Sequence, residues 1–296
     1  MAWAELTDVR CYYEVIGSGE PILLVPGLAS TCRVWDPIVP ELAEHFSLIL
    51  PDNRDVGQSV GRRHPRTMHD FAADLIELMD HLQIDRAHVV GISFGGILAQ
   101  FVAHYHPSRV NRLVLMSCAH RFGPYLRQMA KLIRDATFRL AWSVSSRMME
   151  LLGSGPMYID ENPGIIEERI REKAKPGVSK GAVLRQLKCL STSESVAPDY
   201  HIASPTMVIA GQYDGLIPSC FAKAMAEQIP GSEFHLLPDA VHNPMEEVPQ
   251  EVVDLILEFF TRRTDGMTER SIVSNAYDPE KANESRSRFV VLNGLI

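Results

Sequence analysis

The pentapeptide Gly91-Ile92-Ser93-Phe94-Gly95 sets a serine between glycines placed two residues before and two after it. Five residues with three fixed positions recur by chance, so the setting of this stretch carries the weight. The apolar run Ala87-His88-Val89-Val90 leads straight into it, and a helix with Gly96 and Ala99 follows at once. A strand, a sharp turn and a helix in that order would hold the Ser93 hydroxyl on an exposed corner. The glycines leave the space that so tight a turn needs. An incidental serine in a glycine-rich loop would lack that context. The chemistry indicated is nucleophilic attack by Ser93.

A serine hydroxyl is a poor nucleophile near neutral pH and needs an adjacent base. Of the eleven histidines, His242 is the best placed. It lies in Asp239-Ala-Val-His242-Asn-Pro, after the apolar run Phe234 to Leu237 and before a helix beginning near Glu246. That puts it on a loop at the carboxyl end of a strand, where open α/β sheets bind ligands. His81, His104 and His106 fall in or at the end of expected helices. His88 lies inside the strand before Ser93 and is expected at a helix interface, and His45, His64 and His69 flank early helices. His120 follows the strand ending at Met116 and is expected to line the mouth of a pocket.

The imidazole in turn needs a carboxylate to fix its tautomer and stabilise its cation. Asp214, in Gly211-Gln-Tyr-Asp214, directly follows the apolar run Met207 to Ala210. A helix-capping aspartate would look similar at this position. Asp239 is the poorer choice, because it stands only three positions before His242. Negative charge developing on a carbonyl oxygen needs preorganised N–H donors. One is expected from the backbone of Phe94, the residue after the nucleophile. The other is expected from the loop Pro26-Gly27-Leu28-Ala29-Ser30, with Leu28 first and Ala29 second.

The elements that must carry these residues can be read from periodicity. Strands are expected at Val9–Ile16, Pro21–Val25, Ser47–Leu50, Arg86–Ile92, Val110–Met116, Pro205–Ala210 and Ser232–Leu237. Helices are expected at Trp35–His45, Met68–Leu82, Gly95–Tyr105, Pro218–Ile229 and Glu246–Arg262. This alternation predicts an α/β fold with a mainly parallel sheet covered by helices on both faces. It breaks from about His120 to Pro198, where the sequence is helical, irregular and punctuated by Gly123-Pro124 and Gly155-Pro156. That stretch reads as an insertion above the sheet. The tail is polar from Thr264 to Arg288 and expected to be mobile. It closes on the apolar Phe289-Val-Val-Leu-Asn-Gly-Leu-Ile296. Such an end is expected to dock, either on its own domain or on a neighbouring subunit, which would make a homodimer.

Composition narrows the partners. The chain has 296 residues, is 46% hydrophobic and carries a formal net charge of −8. This balance argues against nucleic acid or an anionic membrane surface. No apolar run is long enough to span a bilayer, and the first residues do not have the pattern of a secretory signal. The five scattered cysteines match no metal-ligand or redox spacing. Reduced, buried thiols in a cytoplasmic protein are expected.

Across Val9 to Arg262 the chain resembles the α/β-hydrolases. It is similar to the branch holding 3-oxoadipate enol-lactonases, aclacinomycin-type methylesterases and cofactor-free haloperoxidase-like esterases. The residues that carry the likeness are Val25-Pro-Gly-Leu28 with Trp35-Asp36, Asp52-Asn-Arg-Asp-Val-Gly-Gln-Ser59, Gly91 to Gly96, Gly211 to Asp214, and His242-Asn-Pro244. The order Ser93, Asp214, His242 is that of the family. The resemblance implies a Ser93–His242–Asp214 triad, a core formed by residues 1–119 and 199–263, and a helical cap at 120–198 inserted after the sixth strand. Two departures stand out. The family usually has His-Gly where this chain has Pro26-Gly27; that histidine generally props the loop. Many relatives have glycine where this chain has Asp55, and the methylesterases are closer there. Arg54 and Asp55 are expected to form a buried ion pair that shapes their loop.

The cap is expected to carry specificity. Its apolar, Met-rich side chains, among them Trp142 and Met149, suit a lipophilic acyl or ring group. With Ala29 and His120 they are the expected substrate contacts, while Arg121 or Arg127 could meet a substrate carboxylate. The leading expectation is a serine hydrolase of a small ester or lactone, working through an acyl-enzyme without metal or organic cofactor. Alternatives are C–C bond hydrolysis or perhydrolysis on the same triad, or a slow-turnover ligand sensor. Haloalkane dehalogenases and epoxide hydrolases place an aspartate where this chain has Ser93.

Overall fold

The computed structural model describes residues 2–62, 67–173, 179–192 and 201–262. The apolar end at 289–296 and the contacts expected of it lie outside these residues. Nine strands form one sheet among the described residues: β1 (Ala2–Glu5), β2 (Val9–Gly17), β3 (Glu20–Val25), β4 (Phe46–Pro51), β5 (Val60–Gly61), β6 (Ala87–Ile92), β7 (Val110–Met116), β8 (Thr206–Gly211) and β9 (Glu233–Leu237). Their order is β1-β2-β4-β3-β6-β7-β8-β9, with β5 paired to β2. The run from β4 to β9 is parallel throughout, and β2 is antiparallel to its neighbours β1, β4 and β5.

Alternation along the strands fills two layers. Leu23 and Val25 of β3, Leu113 and Leu115 of β7, and Val208 and Ala210 of β8 point to one face. There they meet α2 (Met68–His81), α3 (Phe94–Tyr105) and α9 (Ser219–Ala226). The intervening Ile22, Leu24, Val114, Met116, Met207 and Ile209 point to the other face. That layer is covered by a 3-10 turn (Cys32–Trp35), α1 (Val39–Leu42), α10 (Pro244–Glu247) and α11 (Pro249–Thr261). Burial on both faces is why the central strands read as continuous apolar runs. His88 lies in β6 and stacks on Phe260 of α11 with ring centroids 4.2 Å apart, so it meets a helix as expected.

Between β7 and β8 lie α4 (Pro124–Arg139), α5 (Trp142–Gly153), α6 (Pro156–Glu161), α7 (Ile165–Lys173) and α8 (Lys180–Thr192). This helical stretch leaves the sheet after Val110–Met116, the strand read as preceding it. In chain order that strand is the sixth when the two-residue β5 is left aside.

Three expectations need correction. Trp35–His45 is not one helix. Its periodic residues Trp35, Ile38, Val39 and Leu42 are all buried, but they belong to a 3-10 turn and a four-residue helix. Pro40 has no N–H to continue a helix from Asp36, and its ring would clash with that carbonyl. The same effect at Pro249 divides Glu246–Arg262 into α10 and α11. Arg54 and Asp55 do not pair with each other. Arg54 binds Asp74 of α2 through Nε at 2.8 Å and Nη2 at 2.5 Å, while Asp55 accepts from Arg185 Nε of α8 at 2.8 Å. Adjacent residues on a turn send their side chains in different directions, and each finds its own partner. None of the five cysteines forms a disulfide with another described residue; Cys220 is exposed, against the expectation of buried thiols, and the other four are buried.

Candidate active site

Ser93 sits between β6 and α3 with φ +54 and ψ −118, a backbone state that an L-residue holds only when its surroundings enforce it. Its N–H donates to the Met116 carbonyl at 2.9 Å, and its own carbonyl accepts from Ile97 at 3.1 Å. The flanking glycines are sterically required. A Cβ on Gly91 would lie 2.4 Å from the Gly95 carbonyl oxygen, and one on Gly95 would lie 2.1 Å from that of Val25. The spacing noticed in the sequence is therefore a packing requirement of the turn.

His242 follows β9 and Asp214 follows β8, both on loops at the carboxyl ends of parallel strands. His242 Nδ1 donates to Asp214 Oδ2 at 2.8 Å, and both side chains are buried. Asp214 Oδ1 accepts the backbone N–H groups of Leu216 and Ile217, each at 2.8 Å. The carboxylate is thus held from both sides, and its bond to Nδ1 selects, for the neutral imidazole, the tautomer that leaves Nε2 as the acceptor. Asp239 is exposed.

Ser93, Phe94, Gly27, Leu28 and His242 border one cavity of about 120 Å³. The rest of its wall is mostly apolar and comes largely from the helical stretch, including Leu126, Met129, Ile133, Met149, Leu187 and Leu190. Met149 was expected there. Ala29, His120 and Trp142 are not among the lining residues. Ala29 is buried beside the loop, and Trp142 is half-buried against the cluster of Ala130, Ile133 and Met149. Burial, with Arg121 nearby, holds the His120 imidazole below its ordinary pKa. Arg121 and Arg127 are exposed and outside the lining. Among the described residues Glu150 is the one carboxylate in the wall, which has no lysine or arginine. Glu150 is buried and lies 3.6 Å from Arg169.

Several supporting residues escaped the sequence reading. Asn53 Nδ2 donates to the Pro26 carbonyl at 2.9 Å, a brace for the loop that lacks histidine at position 26. Glu247 accepts from the N–H groups of Gly155 at 2.8 Å and Val241 at 3.2 Å. It ties the segment before His242 to the helical stretch, and burial raises its carboxyl pKa. Gln186 of α8 accepts the Ala29 N–H at 3.0 Å. Asn53 stands within a stretch already singled out, but no local pattern marks Gln186 or Glu247. Among the described residues, no three His, Cys, Asp or Glu side chains gather to hold a metal ion. None of the described helices is long and apolar enough to cross a membrane.

A model of the alpha/beta hydrolase fold matches residues 20–249. A protein of Azorhizobium caulinodans provisionally named a carbamate hydrolase is 26% identical over 259 residues, covering 88% of this chain and 98% of that protein. A 3-oxoadipate enol-lactonase of Acinetobacter baylyi is 27% identical over 250 residues, covering 82% of this chain and 90% of its own. The solved structure of a thermophilic esterase from Thermogutta terrifontis superposes with a TM-score of 0.78 at 27% identity. That match covers 88% of this chain and 98% of the esterase.

Proposed function

Because this chain belongs to the α/β-hydrolase fold family, we propose that it hydrolyses a small, lipophilic carboxylic ester or lactone with Ser93 as nucleophile. The observation that carries the reading is the joint placement of a strained Ser93 and an Asp214-bound His242 on one apolar cavity. Ser93 Oγ attacks the carbonyl carbon and its proton passes to His242 Nε2. The N–H groups of Leu28 and Phe94 hold the oxyanion. Collapse expels the alcohol, which takes the proton from His242. Water then attacks the acyl-enzyme with His242 as base, and the acid leaves. In a lactone the expelled oxygen stays tethered to the acyl group throughout, and the second step releases a single hydroxy acid.

The wall chemistry narrows the substrate. Among the described residues the lining has no lysine or arginine, and its one carboxylate is Glu150. An acyl group bearing its own carboxylate would lose hydration there without a partner. A neutral acyl group suits the wall, and helices α4 to α8 act as the cap that shapes it.

Turnover of p-nitrophenyl esters of graded length and of several lactones, measured beside Ser93→Ala, tests the reading. The variant should lose several orders of magnitude in kcat. A wild-type protein with no turnover and no Ser93 adduct with a fluorophosphonate would refute it. Near-single-turnover kinetics would favour a ligand-sensing role.

A further inference from the structure

The turn bearing Leu28 contains a non-glycine residue with a left-handed backbone. Gly27 to Ser30 closes with the Ser30 N–H donating to the Gly27 carbonyl at 3.3 Å. Ala29, its third residue, has φ +57. That position in such a turn ordinarily calls for glycine, because a Cβ disfavours the left-handed region. Outside help comes from α8. The Ala29 N–H donates to Gln186 Oε1 at 3.0 Å, across 157 residues of chain. The Ser30 hydroxyl donates to the Leu28 carbonyl at 3.4 Å. Both ends of the peptide unit joining Leu28 to Ala29 are therefore gripped, the N–H by α8 and the C=O from within the turn.

Gln186 is only 1% exposed. Since Ala29 supplies the donor, the amide must present its oxygen there. Its Nε2 is then buried with no hydrogen-bond partner among the described residues. A half-satisfied buried amide is less stable than an apolar side chain of the same shape would be. What Gln186 offers in return is the bond to Ala29. The preceding residue, Arg185, does the same for another core loop: it binds Asp55, which has φ +66. Consecutive residues of α8 thus hold two left-handed, non-glycine residues of the core.

We propose that Gln186 is a positioning residue for the oxyanion hole, locking the Leu28–Ala29 peptide against a flip. This rests on the reading of Ser93 and Leu28 given above. A flip would bring the Leu28 carbonyl to where the Ala29 N–H now points and would return Ala29 to ordinary φ. The lock removes that alternative, so the donor beside it needs no reorganisation when charge develops. The seating of α8 on the core is thereby coupled to the competence of the hole.

The test is Gln186→Met, which keeps the length and removes the acceptor. Its kcat on the best ester should fall about tenfold with KM within about twofold. Affinity for a boronic acid transition-state analogue should fall in parallel, and the urea midpoint should stay put. Adding Ala29→Gly, which frees the turn of its Cβ penalty, should restore kcat to within about threefold of wild type. Ser30→Ala probes the lock from the other side, without touching the packing of α8, and should lower kcat about threefold. Wild-type kcat in both Gln186→Met and Ser30→Ala overturns the proposal. So does a loss that Ala29→Gly leaves untouched and that comes with a lower urea midpoint. A wild-type protein that neither turns over nor forms the fluorophosphonate adduct fails the parent reading instead, and takes this one with it.

Discussion

Core loops and helical stretch line the same cavity, but they are held by different forces. The loops after β3, β6, β8 and β9 contribute Leu28, Ser93, Phe94 and His242, with Asp214 behind them. Their geometry is imposed by backbone: positive φ at Ser93, glycines that admit no Cβ, and a carboxylate fixed by two N–H groups. The helices from Pro124 to Thr192 contribute side chains, nearly all apolar, whose exact identity matters less than their volume. Chemistry on one side and selection on the other should therefore respond differently to substitution.

The sharpest contrast is expected at the acid. Asp214→Asn should lower kcat by about four orders of magnitude, because an amide at this position favours the wrong imidazole tautomer. Asp239→Asn, three residues from His242 but exposed, should stay within about twofold. Equal losses in the two variants would break the assignment of Asp214.

Next in size is a stability effect confined to the core. Arg54 is buried against Asp74, so Arg54→Met strands a buried carboxylate and should lower unfolding free energy by about 3 kcal/mol. Burial already lifts the Asp74 carboxyl to about 6, against the opposing pull of Arg54. The folded state then binds this proton more tightly than the unfolded chain does. Its contribution to stability is full below about pH 4 and is lost as pH rises towards about 6. Without Arg54 the carboxyl rises further, so the loss should extend to higher pH. Urea midpoints of wild type and variant at pH 5 and pH 8 would check this; a deficit that does not grow with pH would remove Asp74 from the explanation.

The same division explains what could be read in advance. Ser93, Asp214 and His242 each follow an apolar run and precede a helix, so strand, loop and candidate side chain appear together in a few residues. Periodicity also found the burial of Trp35, Ile38, Val39 and Leu42, and it ran elements together where Pro40 and Pro249 stop a helix. Gln186, Arg185 and Glu247 gave no such signal. Their partners Ala29, Asp55 and Gly155 lie far along the chain, and a polar residue on a helix looks like solvated surface. Nor could Ala29 announce a left-handed backbone, since the residue that usually marks one is glycine, whereas the glycine that many relatives carry at the position of Asp55 was such a mark.

Within the helical stretch itself, inner and outer faces should part by a smaller margin. Met149 lines the cavity and is 8% exposed. Met149→Ala should raise KM for the best long-chain ester about fivefold and leave kcat within about twofold, the pattern of lost uniform binding. Preference should shift towards bulkier acyl groups that refill the space. If kcat falls instead with KM unchanged, the wall takes part in the transition state and the division drawn above is too simple.

Phe138, at the far end of α4, is 72% exposed and absent from the cavity wall. Since its ring is already largely in water, its removal gives up little transfer free energy. Phe138→Ser should therefore change unfolding free energy by no more than about 0.5 kcal/mol. For a substrate that enters by diffusion and binds only the inner wall, kcat/KM should also be unchanged. The measurement has most force with the longest ester, whose chain would reach past Leu126 and Ile133 if it extended along α4. A loss of kcat/KM that grows with chain length would place part of the binding surface on the outer face. Specificity would then belong to the whole helix and not only to the side chains it turns inward.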